Sequence, residues 1–471
     1  MCDAVTVDVV VVGAGHNGLT AAARLARAGY EVVVYERAAS VGGSTRTREL
    51  MVEGIVHDVG ATVVPFAAAS PAFAALGLDL PFVHSEIALA HPLDGGRAAV
   101  VAGGVDATSA ALGDDGARYR RLMGPLVRNF DALADATLAP ATHQALHPLV
   151  AARFGPLALL PATVLTRLFR SEGAQALLTG LASHATVPAD HILTAGVGIT
   201  LLAAAHAVGW PMIEGGTQVL ADRLAAIVTD AGGAIELGHD VSSLDELPPA
   251  RAVLLDVTPR QFTRLAPDAA RAYRRWAYGP GVCKVDYVLS GPVPWTADAG
   301  RRAATVHLGG TAAEILASER EVARYRVPER PYAIVVQPQL ADPTRAHDGR
   351  VPLWAYCHVP NGADVDASPG IESQLDRFAP GWRDLVVAKQ VLTAAASERT
   401  NPNLVGGDIA GGLTTARQML LGARPGRSPY ATNVRGVYLC SSSTPPGPGA
   451  HGMCGWYAAG SAMGALERAG G

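Results

Sequence analysis

The amino-terminal part of the chain combines two hydrophobic periodicities. The segment 7–12, in which all residues but one are valine, predicts a buried strand. Apolar side chains then recur at every third or fourth position from Leu19 to Ala26, which predicts an amphipathic helix. A glycine-rich turn at 13–18 joins the two, and a second strand is predicted at 31–35. Strand, turn, helix and strand in this order are typical of a parallel α/β sheet.

The glycine-rich turn has the spacing of a dinucleotide-binding loop. Gly13 permits a tight turn, Gly15 lets the backbone approach a diphosphate, and Gly18 lets the helix pack against its strand. The helix amino terminus attracts the diphosphate charge. Glu36 ends the second strand, where a carboxylate accepts hydrogen bonds from both ribose hydroxyls and repels a 2′-phosphate. The alternative is an ordinary glycine-rich turn, but the flanking strand, helix and acid favour an adenine dinucleotide other than NADP.

The region from about 70 to 208 is predicted to be mainly helical, with helices at 117–133, 157–170 and 173–182. The segment 192–208 carries no formal charge. It is shorter than the roughly 20 residues that a bilayer span needs. We therefore predict a buried helix that lines an apolar pocket. Peripheral contact of this region with a membrane surface is the alternative.

Strand patterns return after residue 208 and fall into two groups. From 282 to 412 strands dominate, which predicts a separate mixed sheet with one face covered by helices. The remaining elements are predicted to resume the first sheet: a helix at 217–229, strands at 234–237, 252–256 and 436–440, and a last helix at 455–468.

The amino-acid composition excludes several classes of protein. The chain has 471 residues and 49% hydrophobic content, which suits about two globular domains. The chain has 38 basic and 42 acidic residues, and the basic residues form no stripe. A nucleic-acid partner is therefore not expected. Five cysteines without a CxxC pair predict reduced thiols, no disulfide framework and no metal site. The amino terminus lacks the pattern of a signal peptide, so a cytoplasmic protein is expected, with peripheral contact at the inner face of the membrane as the alternative.

Several further strings carry a resemblance to a known family. The chain is similar to the superfamily of flavin-dependent phytoene desaturases and amine oxidases, and most closely to the bacterial phytoene-dehydrogenase-like branch that includes pyridine nucleotide-disulphide oxidoreductase domain-containing protein 2. The strings that carry the likeness are 41–46 (VGGSTR), 57–61 (HDVGA), 215–216 (GG), 278–282 (YGPGV), 358–362 (HVPNG), 406–412 (GGDIAGG) and 437–455 (VYLCSSSTPPGPGAHGMCG).

The resemblance implies an α/β fold and FAD as the cofactor. A discontinuous Rossmann-type FAD-binding domain, glutathione-reductase-like with three layers, is expected from 1–66, 209–265 and 425–471. A substrate-binding domain with a mixed sheet and helices is expected from 67–208 and 266–424, the first of these being mainly helical.

The resemblance also implies which residues hold FAD. Gly42 and Gly43 are expected at the diphosphate, and Val241 at the adenine through its backbone. Residues 452–455 are expected to face the flavin, where free N–H groups and a positive helix end favour negative charge near N1 and O2. The full set of expected contacts is Gly13, Gly15, His16, Asn17, Gly18, Glu36, Arg37, Gly42, Gly43, Ser44, Val241, Ser442, Gly452, Met453 and Cys454.

Three residues are catalytic candidates. Strand alternation puts Lys284 and Asp286 on one face, and the place of Lys284 resembles that of the amine-oxidase lysine that holds a water beside flavin N5. A salt-bridged structural lysine is the alternative. His451 lies inside the expected flavin-facing loop, where a structural role is equally compatible with the sequence, and Asp408 lies between glycine pairs at an expected substrate mouth. His57 belongs to a turn that resembles an acidic turn near the flavin.

The chain also departs from its relatives' patterns. Ser44 and Pro445 stand where many phytoene desaturases have arginine and histidine, which weakens the transfer of phytoene as substrate. Aromatic residues make up only 6% of the chain, so an aromatic cage for an amine is poorly supplied.

The leading hypothesis is an FAD-dependent dehydrogenase or desaturase that moves a hydride from a C–H bond of a mostly apolar small molecule to flavin N5, forming C=C. The electron acceptor would be oxygen, a quinone or a redox protein, and the sequence indicates no particular oligomeric state. Three alternatives stay open: C–N oxidation of an amine, flavin-dependent double-bond isomerisation, and a non-catalytic flavin-binding protein.

Overall fold

The computed structural model describes residues 7–140, 147–424 and 428–470. The expected domain limits at 1, 425 and 471 lie outside these residues, as does Cys2. The other four cysteines are buried free thiols, as the sequence predicts.

The first sheet is parallel and is assembled from three distant parts of the chain. Its strands are β1 (Val7–Val12), β2 (Val32–Glu36), β9 (Ala234–Leu237), β10 (Ala250–Leu255) and β16 (Val437–Leu439). They lie side by side in the order β16–β10–β1–β2–β9. β1 pairs with β2 and with β10, so the amino-terminal strand is at the centre of the sheet. The predicted return of the chain to its first sheet is confirmed.

Helices cover this sheet. They include α1 (His16–Arg27), α11 (Gln218–Asp230), α12 (Pro259–Leu265) and α18 (Met453–Gly470). α1 packs between α11 and α18. Its Leu19 and Leu25 are fully buried, as are Leu220 and Leu224 of α11. The apolar spacing that predicts α1 therefore corresponds to a buried helix face.

The second sheet is mixed. It contains β6 (Ile87–Leu93), β7 (Arg97–Val101), β11 (Gly281–Leu289), β12 (Ala303–Leu308), β13 (Ala333–Val336), β14 (Val351–Val359) and β15 (Val386–Leu392). The spatial order is β15–β11–β14–β13–β12–β6–β7. β12 and β6 are parallel, whereas β11 and β14 are antiparallel. Two short ribbons complete the strands: β3 (Thr47–Glu49) with β4 (Val56–Asp58), and β5 (Phe82–Val83) with β8 (Met212–Ile213).

Helices lie on both faces of the second sheet. The face with Val285 and Leu353 packs on Ile371 of α15 (Ser368–Phe378). The opposite face packs Ile334 against Ala176 of α9 (Glu172–Ala182) and Ile315 of α14 (Ala312–Ala323). The remaining helices are α2 (Pro65–Ala68), α3 (Pro71–Ala75), α4 (Gly104–Ala111), α5 (Gly116–Arg128), α6 (Phe130–Thr137), α7 (Pro148–Ala158), α8 (Ala162–Leu165), α9 (Glu172–Ala182), α10 (Thr194–Ala207), α13 (Asp298–Arg302), α14 (Ala312–Ala323), α16 (Ala394–Thr400) and α17 (Ala416–Leu421).

The long helix predicted at 157–170 is wrong. α7 ends at Ala158, and α8 begins only at Ala162. Between them Pro161 has extended backbone angles, φ −62° and ψ 140°. Proline has no N–H to donate and disfavours a helical residue before it, so the apolar pattern continues while the helix does not.

The uncharged segment after residue 192 forms the buried helix α10, as predicted. Ile199, Leu202 and Ala204 are almost completely buried. Among the described residues, no single helix is both long and apolar enough to cross a membrane. The segments Pro148–Ala158 and Ala162–Leu168 have the required length and apolar composition only together, and they form a pair bent by 93°.

A buried ionic network joins the two sheets. Asp58, at the end of β4, accepts hydrogen bonds from Thr217 N at 3.0 Å and from Arg345 Nη2 at 2.8 Å. Arg345 Nε also contacts Asp342 at 3.1 Å, and Asp342 accepts the N–H of Gly215 at 2.8 Å. The Arg345 side chain is only 1% exposed. Because the side chains are buried, each charge depends on its partners.

We expect Arg345→Met to destabilise the protein by about 3–5 kcal/mol, because it leaves two buried carboxylates without their counter-ion. Chemical denaturation monitored by circular dichroism measures this change. Arg302→Met is the matched control, since Arg302 pairs with Glu86 at a site where its side chain is 45% exposed. That exposed pair should contribute about 1 kcal/mol or less. Equal effects of the two substitutions would contradict the prediction.

Candidate functional site

The glycine loop, residues 13–18, leads from β1 into α1. Gly13 N donates to Tyr35 O at 2.8 Å, which fixes the loop to the end of β2. A Cβ atom on Gly18 would lie 2.1 Å from Gly13 O, so only glycine fits there. Gly42 N donates to Ala14 O at 2.8 Å. The second glycine pair is thereby brought against the loop.

Glu36 is directed at the same loop. Its Oε2 accepts the N–H of Ala14 at 2.7 Å, and its Oε1 accepts the N–H of Ala38 at 2.8 Å. The side chain is half-buried. Both oxygens therefore lie at the rim of the glycine loop, which is where the sequence predicts the ribose of a dinucleotide.

Asp256, which the sequence analysis missed, completes the loop. It follows β10, and its Oδ2 accepts the N–H of Gly18 at 3.0 Å. The residue before α1 is Gly15, which has no side chain, so Asp256 supplies the helix cap from a distant segment. Burial and the charge of Glu36 raise the pKa of Asp256 to about 7, against the effect of the Gly18 hydrogen bond.

The carboxy-terminal loop, residues 447–455, meets the glycine loop and α1. His16 Nε2 is 3.0 Å from Gly449 O. A Cβ on Gly455 would lie 1.9 Å from Asn17 O, so α18 can approach α1 this closely only with glycine at that position. Two glycine-rich loops from opposite ends of the chain therefore form one site.

The polar groups of the carboxy-terminal loop mainly hold the start of α18. His451 Nδ1 accepts the N–H of Met453 at 3.0 Å, and burial lowers the pKa of His451 to about 3. The Cys454 Sγ lies 3.3 Å from both Thr444 O and Gly447 O, and burial raises its pKa to about 12. His451 is therefore a neutral ring and Cys454 a thiol at physiological pH.

The other expected cofactor residues lie at several places. Arg37 is exposed and donates to Thr400 O at 3.0 Å. Ser44 O accepts the N–H of Ala61 at 3.1 Å. Val241 is buried in the cluster on one side of the first sheet, and Ser442 lies beside Gly411. Their roles toward a cofactor stay predictions.

Asp408 is fully buried and holds a loop. Its Oδ2 accepts Gly279 N at 2.8 Å, while Oδ1 accepts Ala410 N at 2.7 Å and Gly411 N at 3.2 Å. Burial raises the pKa of Asp408 to about 6 despite these hydrogen bonds. Its carboxyl group organises residues 408–412, and a catalytic role stays a prediction.

Lys284 lies in a buried charged cluster on β11. Its Nζ is 2.6 and 2.5 Å from the two oxygens of Asp286, on the same face of the strand. His57 Nδ1 lies 3.2 Å from Asp286 Oδ1. Burial acts to raise the pKa of Asp286, but Lys284 and His57 outweigh it and lower that pKa. Lys284 Nζ also lies 5.2 Å from the centre of the Trp354 ring.

The neighbouring strand β14 supplies an aromatic pair on this face. Tyr356 is directly opposite Lys284, and Trp354 opposite Asp286. The rings of Trp354 and Tyr356 are stacked, with centroids 5.9 Å apart. The low aromatic content of the chain therefore does not prevent a local aromatic pair. Residues two positions apart on a strand share a face, but the sequence alone does not show which face of β14 lies beside Lys284. Within 7–140, 147–424 and 428–470, no cluster of side chains suits a metal ion.

The chain is similar to known proteins in both sequence and fold. Residues 11–76 match the family model of the NAD(P)-binding Rossmann-like domain. The chain is 26% identical to the rat (Rattus norvegicus) pyridine nucleotide-disulfide oxidoreductase domain-containing protein 2, over 96% of this chain and 92% of that protein. It is 50% identical to the zeta-carotene-forming phytoene desaturase of Myxococcus xanthus over 12% of this chain and 10% of that enzyme.

A solved structure of putrescine oxidase bound to putrescine has the same fold. The TM-score is 0.60 at 18% identity, over 98% of this chain and 99% of that one. The chain is therefore similar to flavin-dependent oxidoreductases. The match to pyridine nucleotide-disulfide oxidoreductase domain-containing protein 2 extends over most of both chains.

The pKa of Asp256 predicts a pH dependence of stability. Between pH 3.8 and about 7 the unfolded chain releases a proton that the folded protein keeps. The stability contributed by Asp256 is therefore complete below this window and is lost as pH rises through it. Asp256→Asn retains an oxygen for Gly18 N and removes the titration. We expect the stability of the variant relative to that of the original protein to increase from about pH 4 to about pH 7 and to stay constant above that range.

Denaturation without added FAD at a series of pH values measures this difference. Asp79→Asn, which changes an exposed side chain, is the control substitution. A difference between Asp256→Asn and the original protein that does not change with pH would contradict the prediction.

Proposed function

We propose that the protein is an FAD-dependent dehydrogenase of a mostly apolar small molecule. One C–H bond gives a hydride to FAD, the adjacent C–H bond releases its proton to solvent, and a C=C bond forms. The observation that carries this proposal is the junction of the glycine loop with the carboxy-terminal loop. There α1 and α18 begin within contact of each other, as Gly455 and Asn17 show. An extended dinucleotide with a flavin at one end fits such a pair of helix amino termini.

The residues present fit FAD. Among the described side chains, the buried Asn17 Oδ1 has no hydrogen-bond partner, and it lies in the first turn of α1. In the proposed complex Gly15 and Gly43 hold the diphosphate, Glu36 holds the ribose, and residues 452–455 face the flavin. When bound, FAD supplies the hydride acceptor.

The protein's own residues orient the substrate and exclude water. The loop at 408–412 connects the segment that precedes the carboxy-terminal loop to the second sheet, because Ser443 Oγ donates to Gly411 O at 2.6 Å. Asp408, in the same loop, contacts Gly279 immediately before β11. A substrate between this loop and the second sheet is enclosed by buried elements, which strengthens every polar contact made there.

Cofactor binding is testable at Glu36. We expect purified protein to be yellow and Glu36→Gln to weaken FAD affinity by about 10-fold or more, because a charged acceptor for the ribose hydroxyls is lost. Quenching of FAD fluorescence on titration measures the dissociation constant. Glu31→Gln, an exposed glutamate on the preceding turn, is the matched control and should bind FAD like the original protein. A folded, colourless protein that does not take up FAD would rule out the proposal.

Oxidation of an amine is a second candidate, favoured by the position of Lys284. Its ammonium group is buried on the face of the second sheet that also carries the Trp354–Tyr356 pair. A buried cation of this kind stabilises negative charge that develops on oxygen during reoxidation.

For this candidate we expect addition of a primary amine such as putrescine to release hydrogen peroxide, and Lys284→Met to slow that release by about 100-fold. A peroxidase-coupled assay measures the rate, with FAD content checked by absorbance. Lys389→Met is a matched control, because Lys389 is the other lysine of the chain and pairs with Glu372. Peroxide release at an unchanged rate in Lys284→Met would contradict a role of Lys284 in reoxidation.

A further inference from the structure

A histidine–glutamate pair lies one step along the second sheet from Lys284. His358 and Tyr356 are two residues apart on β14 and therefore share a face. Tyr356 is opposite Lys284, and His358 is opposite Val282. Successive positions on one face of a strand are roughly 7 Å apart. His358 is therefore a close neighbour of the site that holds Lys284.

His358 is oriented by a carboxylate. Its Nδ1 is 2.8 Å from Oε2 of Glu319, which belongs to α14, and both side chains are 2% exposed. Burial acts to lower the pKa of His358, but the charge of Glu319 outweighs it and raises that pKa. In the protonated form of His358, which the charge of Glu319 favours, the ring donates from Nδ1 to Glu319 and presents Nε2–H as a second donor in a fixed direction.

The second polar atom of each side chain in the pair makes no hydrogen bond to the described residues. In the part of the chain that the structure describes, His358 Nε2 and Glu319 Oε1 are both buried without a hydrogen-bond partner. A pair with a purely structural role normally satisfies such atoms, because an unsatisfied buried polar group costs about 1–3 kcal/mol. Two unsatisfied atoms on one ion pair therefore indicate a missing partner.

Accessible surface next to His358 shows where that partner enters. Tyr356 is half-buried, although Trp354 and His358, its neighbours on the same face, are buried and β14 lies inside the sheet. His184, whose pKa is lowered to about 4 by burial and by the charge of His358, is also half-buried. Surface at the middle of a covered sheet belongs to an internal cleft and not to an edge.

The cleft also borders the loop that leads to the proposed flavin site. The charge of Asp408 acts on His358, and the Asp408 carboxylate lies beside Gly279. Thr186, whose buried Oγ1 has no partner among the described residues, lies beside Gly279 as well. The polar atoms therefore converge on one region between α9, β14 and residues 408–412.

We propose that His358, positioned by Glu319, is a substrate-binding residue that donates a hydrogen bond from Nε2 to a carbonyl oxygen, so that the substrate is a mostly apolar carbonyl compound and not a pure hydrocarbon. This inference rests on the proposed function for its substrate site. Glu319 acts through His358 and is a positioning residue. The bond to the oxygen also polarises the carbonyl, which acidifies the C–H bonds beside it.

The test compares two small probes of the same ring size, cyclohexanone and cyclohexane, on the full-length protein. Dissociation constants come from ligand-observed NMR, and FAD content is measured in each sample by absorbance. We expect His358→Phe to weaken cyclohexanone binding by about fivefold and to leave cyclohexane binding unchanged, because only the ketone loses a hydrogen bond. Glu319→Gln, which preserves shape, should weaken cyclohexanone binding in the same direction by a smaller factor.

His206→Phe is the matched control, because His206 is hydrogen-bonded to Tyr119 OH at another place in the helical region. It should leave both affinities unchanged. Equal effects of His358→Phe on the two probes, or failure of cyclohexanone to bind the original protein, would overturn the inference. A protein that takes up no FAD but still shows the ketone-specific effect would contradict the proposed function alone. A yellow protein without the ketone-specific effect would contradict this inference alone.

Discussion

The arrangement of the two sheets depends on the buried carboxylate of Asp58. It is hydrogen-bonded to Thr217 at the start of α11 and to Arg345 from the second sheet's side of the molecule. The preceding residue, His57, reaches Asp286 on β11. Two adjacent residues at the end of β4 thus fix both α11, which lies beside the glycine loop, and β11, which carries Lys284. Because these charges are buried, a shift of either sheet would leave a carboxylate or a guanidinium unpaired.

The second sheet then presents an unusual face to the proposed substrate site. Lys284, Asp286 and His358 are all buried there, each beside an oppositely charged group. The match to the zeta-carotene-forming phytoene desaturase of Myxococcus xanthus covers only 12% of this chain. A polar face of this kind favours recognition of a heteroatom, since burial of charged pairs beside a pure hydrocarbon would cost desolvation without a compensating contact.

Features within one stretch of chain could be predicted from the sequence, whereas features that join distant stretches could not. The glycine loop, Glu36 and α1 were predicted because their spacing is local. Asp256 was missed, since nothing in its own surroundings indicates that its side chain caps α1. The stacked Trp354 and Tyr356 were missed because overall composition does not report how residues share a strand face. The break at Pro161 was overlooked because an apolar pattern continues on both sides of it.

Two carboxylates lie at the glycine loop that is proposed to bind a diphosphate. Glu36 accepts the N–H of Ala14 and Asp256 accepts the N–H of Gly18, both within this loop. The amino terminus of α1 favours any nearby anion, but it is a partial charge of about half a unit. The raised pKa of Asp256 lessens this negative charge, because the protonated form keeps one oxygen for Gly18 N and adds no charge. The cap and the diphosphate can then occupy one helix end together, which requires the carboxyl group to keep its proton.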